Sequence, residues 1–255
     1  MKINTSYRAR QIFAVFAVLV AIAGWVIANP KSYEAEFAPA TNAAENTTDS
    51  TTETTTNPTA PHPEGTSLAT DILAKLEIKG RAPKTGYTRE EFYNGWPNID
   101  GCSLRQRIIK RDFGDTAVMD TKNPCNVIAG SYTEPYTGQY VTFAERSEIS
   151  KAVQIDHVVA LSDAWQKGAQ QLPKDARYQI ATDPLNLLAT DAAANMQKSD
   201  GDAATWLPAN KKFRCQYVAR QVSVKYKYHL WVTKAEHDAI AGILEKCPAE
   251  PAVGI

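Results

Sequence analysis

QIDHVVALSDAW at residues 154–165 and DPLNLLATDAAANMQKSD at 183–200 decide how this chain is read. The first is a short apolar run that carries an acid and a histidine, Asp156 and His157, and it fits a strand beginning near Val153. In the second, Asp183-Pro184 breaks the chain, LNLLAT fits another short strand, and Asp191 opens a helix that runs toward Asp200. Strand, long connection, strand, helix is therefore the plan for residues 153–200. Asn195 and Lys198 lie three apart, so a helix puts them on one face. Asp156 and His157 are adjacent, and a regular strand turns them to opposite sides. They serve one site only if that site lies off the strand end or the strand bends. A carboxylate, an imidazole, two carboxamides (Asn186 and Asn195) and an ammonium could bind a hard metal, activate water and hold a phosphate.

Outward from this core, Ser67 caps a helix through about Leu76, with Leu68, Ile72, Leu73 and Leu76 on one face. Thr88 and Glu91 have the spacing of a capping box. NIDGCS reads as a turn, LRQRIIKRDF as a helix, and NVIAGSYTEPYTGQYVTF as two strands joined through Pro135 and Gly138. Ser162 caps a helix containing Trp165. A loop follows at Trp206, Leu207 and Pro208, then a helical piece within residues 213–232. Thr233 caps a final helix, KAEHDAIAGILEKC. The mixture is α+β, with helices around a small antiparallel sheet.

The chain has 255 residues and no net formal charge. Residues 67–255 hold 24 Lys plus Arg against 22 Asp plus Glu, so any affinity for a polyanion must come from local patches. Three present themselves: Arg105, Arg107, Lys110 and Arg111; Lys211, Lys212 and Arg214; Lys225 and Lys227. Each alone also reads as a solvated face. Lys2, Arg8 and Arg10 precede an uncharged, mainly apolar run from Ile12 to Ala28, so residues 1–30 read as a signal peptide or an uncleaved membrane anchor. Either form places the rest of the chain outside the cell, and membrane contact would come only through this segment. Ala38-Pro39-Ala40 offers a small-x-small cleavage site. Residues 31–66, with TTDSTTETTTNPTAPHPEG at their heart, read as a disordered spacer. Asn46-Thr47-Thr48 fits a glycosylation sequon.

Four cysteines, Cys102, Cys125, Cys215 and Cys247, suit an oxidising compartment. None sits in a C-x-x-C pair, which argues against zinc. Of three possible pairings, Cys102–Cys125 and Cys215–Cys247 are favoured because each closes a local loop.

Several of these stretches resemble a known family. The order DH, N, N-x-x-K resembles the HNH, or ββα-metal, nucleases. GC-x-x-R at Cys102, PYTG at 135–138, DHVVAL-x-x-AW, DPLNLLA, N-x-x-K-x-D and the late W-x-P are similar to exported HNH-family proteins of Gram-positive bacteria. Their domain is related to the C-terminal nuclease domain of GmrSD-type restriction enzymes. The resemblance spans about residues 68–247 and implies a ββα-metal core and an endonuclease acting on nucleic acid, with DNA as the substrate. It makes His157 the general base, Asp156 and Asn195 the metal ligands, Asn186 the residue that fixes the histidine ring, and Lys198 a phosphate contact. Asn195 stands where some HNH enzymes have a histidine, and oxygen ligands suit Mg²⁺ or Mn²⁺ better than Zn²⁺. Singly, these residues read as ordinary structure: a core Asp-His pair, turn chemistry at Asn186, a surface asparagine, a solvated lysine. Together at this spacing they read as a site.

Two other functions fit the same sequence. One is a non-catalytic surface module that captures extracellular DNA, though such a module needs no base and gains little from near-neutral charge. The other is a different metal-dependent hydrolase, disfavoured by the lack of H-E-x-x-H. Trp165 and Trp206 read as core. Arg177 reads as a phosphate contact or a salt bridge. His62, His229 and His237 receive no role.

Overall fold

A computed structural model describes residues 67–254 of the chain. The export segment, the spacer and the sequon lie outside the described residues. Among the described residues no helix is long and apolar enough to cross a membrane.

The architecture is α+β, built from short elements. Helix α1 (Ala69–Leu73) is followed by a hairpin of β1 (Asn98–Ile99) and β2 (Cys102–Ser103). The expected turn at NIDGCS is this hairpin. Asp100 and Gly101 both have positive φ, as its two-residue loop demands. Next come α2 (Leu104–Phe113), β3 (Val118–Met119), β4 (Val127–Thr133) and β5 (Tyr140–Phe143). Then follow α3 (Arg146–Ala152), β6 (Val153–His157), α4 (Leu161–Gln166) and α5 (Lys174–Thr182). The chain finishes with β7 (Leu187–Asp191), α6 (Ala192–Lys198), α7 (Arg214–Lys227) and α8 (Lys234–Leu244). Strands β3-β4-β5 form one antiparallel sheet, and β6 pairs antiparallel with β7 from Val153↔Asp191 to His157↔Leu187.

Local chemistry explains most boundaries. Thr233 caps α8 in a full capping box with Glu236, and Asp191 caps α6 by accepting from the Ala194 amide. Three expected caps do not form. Leu68, not Ser67, is the N-cap of α1, and no side chain bonds there. Thr88 makes no capping bond, and only a single 3-10 turn follows it, Arg89–Glu91. Ser162 lies inside α4 rather than before it, because its hydroxyl is engaged by Asp200 at 3.0 Å. The first helix is also shorter than its apolar stripe suggests, since Ser67 and Ala69 pair with the C-terminal segment. Ala69 N donates to Glu250 O at 3.0 Å and Ala252 N donates to Ser67 O at 2.8 Å.

Three apolar clusters fill the interior. One joins α1, α7 and α8 with Tyr136 and Val158; a second gathers Phe92, Trp165 and Ile180. The third packs Leu104, Ile108 and Phe113 of α2 onto Val127, Ile155 and Leu187. The β6–β7 pair thus lies against α2 on one side and α6 on the other.

Both favoured disulfides are present, Cys102–Cys125 and Cys215–Cys247, spanning 23 and 32 residues. The second ties the start of α7 to the end of α8. Loop closure of that length stabilises by about 3–4 kcal/mol in the chain-entropy account. The Cys215→Ser/Cys247→Ser variant is therefore expected to melt several degrees below the parent. Equal melting temperatures would show that the bridge adds nothing to stability.

Candidate active site

Among the described residues strand β6 pairs only with β7, which leaves its other edge free of them. A cleft of about 590 Å³ runs along that edge, lined by every residue from Val153 to His157 and by Ala160, Leu161 and Ser162. Residues from the Lys84–Trp96 segment, Arg105 of α2, Ser150 of α3, and Asn195, Ser199 and Asp200 complete its walls. A free edge gives access to side chains of both faces, so neighbouring strand residues can border one space without a bend.

Gln154 and Asp156 point from β6 toward α6. The Asn195 Nδ2 donates to Gln154 Oε1 at 2.8 Å, and the Lys198 Nζ donates to Asp156 Oδ1 at 3.0 Å. A strand's i, i+2 pair thus meets a helix's i, i+3 pair, and this double contact fixes α6 on the sheet. Lys198 is fully buried and also donates to the His157 carbonyl at 2.8 Å. Its ammonium is turned inward onto Asp156.

Asp156 takes a second hydrogen bond, on Oδ2, from the Tyr136 hydroxyl. Burial raises its carboxyl above the ordinary range against the opposing pull of Lys198 and Tyr136. Burial also pushes the Tyr136 phenol well above its usual value, and the Asp156 charge adds to the effect. Tyr136 is held from behind by the buried Glu134. That carboxylate accepts from the amides of Tyr136 (3.1 Å), Thr137 (2.6 Å) and Asp191 (3.1 Å). Glu134 therefore clamps the PYTG turn to the residue that caps α6.

His157 ends β6. Its Nε2 lies 2.9 Å from the Ala181 carbonyl, which can only accept, so Nε2 carries the proton and Nδ1 is left bare. The ring stacks on Trp96, with centroids 5.9 Å apart and planes at 9°, and touches Tyr93 at 5.8 Å. Burial lowers its pKa to about 3, with Arg89 and Lys198 pushing the same way. Asn186 is fully buried and makes no hydrogen bond to the ring. Its Oδ1 accepts from Val159 N at 2.8 Å, and its Nδ2 donates to Val159 O at 3.2 Å and Ile180 O at 3.0 Å. It fixes the backbone just after His157 and just before the Ala181 carbonyl that orients the imidazole.

The basic patches divide. Arg107 pairs with Asp100, Arg111 with Asp112, and Lys227 with Asp183. Lys225 is fully buried between Asp163 and Glu236. Arg177 binds Glu91 at 2.7 Å, so its salt-bridge reading holds. Only Arg105 of the first patch lines the cleft. Trp165 and Trp206 are packed among other aromatics, as core residues are. Tyr136, Gln154, Trp96 and Arg89 belong to this site but carry no role in the sequence reading. Tyr136 stands inside the PYTG stretch, and Gln154 lies two residues before Asp156 on the same strand face, so both signals were in the chain.

Among the described residues one group of His, Cys, Asp and Glu atoms has metal-ligand spacing: Cys215, Cys247 and Glu250. Its two sulfurs are already joined in a disulfide, so it is no metal centre.

Comparison with known proteins adds three findings. Residues 104–243 match the family model described as GmrSD restriction endonucleases, C-terminal domain. A protein from Arthroderma benhamiae described as an uncharacterized secreted protein is 34% identical over 193 residues, which is 74% of this chain and 90% of that relative. No solved structure matches.

Proposed function

The chain belongs to the family of GmrSD restriction endonuclease C-terminal domains, and from that premise we propose that it is an exported, metal-dependent endonuclease that hydrolyses phosphodiester bonds in DNA. The observation that carries this reading is the free edge of β6, where Asp156, His157 and Asn195 line one cleft. The order β6, β7, α6 also has the strand–strand–helix plan of a ββα-metal core. Residues 67–255 form the nuclease domain in this reading.

His157 is the general base. Its bare Nδ1 takes a proton from water as the water oxygen attacks phosphorus, and the bond from phosphorus to the leaving oxygen opens. An imidazole with a pKa of about 3 is neutral at any working pH but weakly basic. A phosphodiester anion entering the cleft favours the imidazolium and so strengthens the base. Asn186 keeps the ring's backbone frame in place.

The donor set fits a hard divalent cation. Asn195 spends its amide nitrogen on Gln154, and that hydrogen bond assigns the free oxygen as the ligand atom. Asp156 supplies the carboxylate, oriented by Tyr136 and Lys198. Mg²⁺ commonly takes one or two protein oxygens beside those of substrate and water. Bound there, Mg²⁺ or Mn²⁺ would supply Lewis acidity at the leaving oxygen.

Export is supported by the N-terminal sequence, the two disulfides and the description of the relative as secreted. Nothing in the described residues favours retention in a membrane over release.

Plasmid nicking by the purified chain tests the reading. Cleavage is expected to stop in EDTA and return with Mg²⁺ or Mn²⁺. Asn195→Ala is expected to raise the metal concentration for half-maximal activity at least tenfold, on the order of the losses caused by disturbing a metal's surroundings. Full cleavage in EDTA removes the metal from the proposal. DNA retarded but never cut would instead favour a capture module.

A further inference from the structure

Phosphate must be held by something other than Lys198, because that ammonium is committed to Asp156 and to the His157 carbonyl. Lys84, at the cleft rim, is committed to Asp200 at 3.0 Å. Two cations lining the cleft remain, Arg89 and Arg105. Four other arginines among the described residues, Arg81, Arg107, Arg111 and Arg177, form ion pairs with carboxylates, while these two have no carboxylate there within ion-pair distance.

Arg105 is the more telling of the pair. It is half-buried in the cleft wall, and one of its five N–H groups is used, in a 2.8 Å hydrogen bond to the Val153 carbonyl on the free edge of β6. That bond aims the guanidinium along the same edge that carries Asp156 and His157. Burial and the neighbouring Arg146 both work against its charge, and no anion among the described residues offsets them. A desolvated guanidinium without a counter-ion is unfavourable until an anion arrives. Arg89 comes from a different segment. It lies over the Tyr93 ring at 5.1 Å and donates to the Tyr93 hydroxyl from Nε at 3.1 Å, which fixes its planar fork while leaving Nη1 free. Tyr93 in turn packs against His157.

We propose that Arg105 and Arg89 form the phosphate-gripping subsite of this cleft, holding the non-bridging oxygens of the phosphodiester presented to His157. The proposal rests on the nuclease reading and gives these two residues the phosphate contact expected of Lys198. The forked donors suit a phosphate's paired oxygens, and they supply a local positive field in a chain with none overall.

The test is fluorescence anisotropy of the full chain with a labelled DNA single strand of about a dozen nucleotides, in EDTA, across a salt series. Arg89→Ala and Arg105→Ala are each expected to weaken binding about tenfold, as loss of a charge-assisted contact does. Each should also make the plot of log affinity against log salt shallower by about 0.7, the change for one lost phosphate contact on a single strand. Arg105→Lys, which keeps charge but not the fork, should retain the salt slope while binding less tightly than the parent. Arg107→Ala, on the same helix but outside the cleft, should match the parent. Because Arg105→Ala also frees the Val153 carbonyl, the exposed Arg89 carries the test if that variant folds poorly. A parent that binds and cuts DNA while Arg89→Ala and Arg105→Ala keep its affinity and slope overturns the subsite alone. A parent that neither binds the strand nor nicks plasmid overturns the nuclease reading and the subsite with it.

Discussion

His157→Ala is expected to reduce plasmid cleavage by about 10²–10⁴-fold, the usual contribution of a positioned general base. Alanine also removes the ring that stacks on Trp96 and frees the Ala181 carbonyl, so lost packing could imitate lost chemistry. His157→Gln separates the two. Its carboxamide reaches the position of the ring Nε2 and can still donate to the Ala181 carbonyl, yet it cannot accept a proton near neutral pH. Both variants should therefore be inactive, while the glutamine form keeps more of the melting temperature. Cleavage by His157→Gln within a few-fold of the parent would remove His157 from the base role.

The same residue sets a pH dependence of known sign. The folded imidazole titrates at about 3, below its ordinary value of 6.5. Between those two values the unfolded chain binds more protons than the folded one. Its contribution to stability is therefore complete above about pH 6.5 and is lost as pH falls toward 3. The base itself stays unprotonated over that window, so the acid limb of activity should follow unfolding more closely than titration of free imidazole. In His157→Gln this share of the acid sensitivity should disappear, leaving a flatter stability curve between pH 6 and pH 4, roughly.

Local rules reached far into this fold. LRQRIIKRDF was readable as a helix because Leu104, Ile108 and Ile109 share a face, and it forms over those ten residues. The two strands around PYTG, the β6–β7–α6 order and both disulfides were readable from alternation, turn residues and short loops. Helices α3 and α5 were not. Each presents few apolar residues to the interior, Ile149 in one and Ile180 with Ala181 in the other, too few for a clear period. For Lys198 the helix period correctly put it on the face of Asn195, but only tertiary packing shows that this face ends on Asp156. Lys225 is more instructive. Beside Lys227 it reads as a solvated cation, yet Val218, Gln221, Val222 and Lys225 fall at i, i+3, i+4 and i+7, and all four are buried. The period pointed inward, and the residue's charge argued outward. The period won because acids from other elements meet the ammonium inside.

Breaking that internal charge cluster should have the largest effect on stability of any single polar substitution. Lys167 and Lys225 are fully buried, as is Glu236, which joins them at 2.6 and 2.9 Å. Asp163 binds Lys167 at 2.6 Å and Lys225 at 3.1 Å, and Asp202 binds Lys167 at 2.8 Å and Arg81 at 2.7 Å. Two of the oxygens, Asp163 Oδ1 and Glu236 Oε1, meet their cations at ion-pair distance without hydrogen-bond alignment, so charge balance matters more here than directional bonding. Three cations against three anions leave the cluster neutral. Burial favours the neutral acid at Asp202, yet Lys167 and Arg81 hold its carboxyl below the ordinary range. Its contribution is thus present above about pH 4 and lost as pH falls. Glu236→Gln keeps the shape but leaves two buried ammoniums with one acid fewer. Removing one partner of a buried pair typically costs about 3–5 kcal/mol. At roughly 2–4 °C per kcal/mol for a domain of this size, the melting temperature should fall on the order of 10 °C. The loss should reach the cleft as well, because Asp163 lies in the helix that follows His157 and Asp202 lies four residues beyond Lys198. Adding Lys225→Met restores neutrality, and the double variant should recover part of the lost stability, a coupling that thermal melts can measure. If Glu236→Gln melts with the parent, the cluster contributes nothing net. If Lys225→Met deepens the defect instead of relieving it, the charge-balance account fails even though the pairing stands.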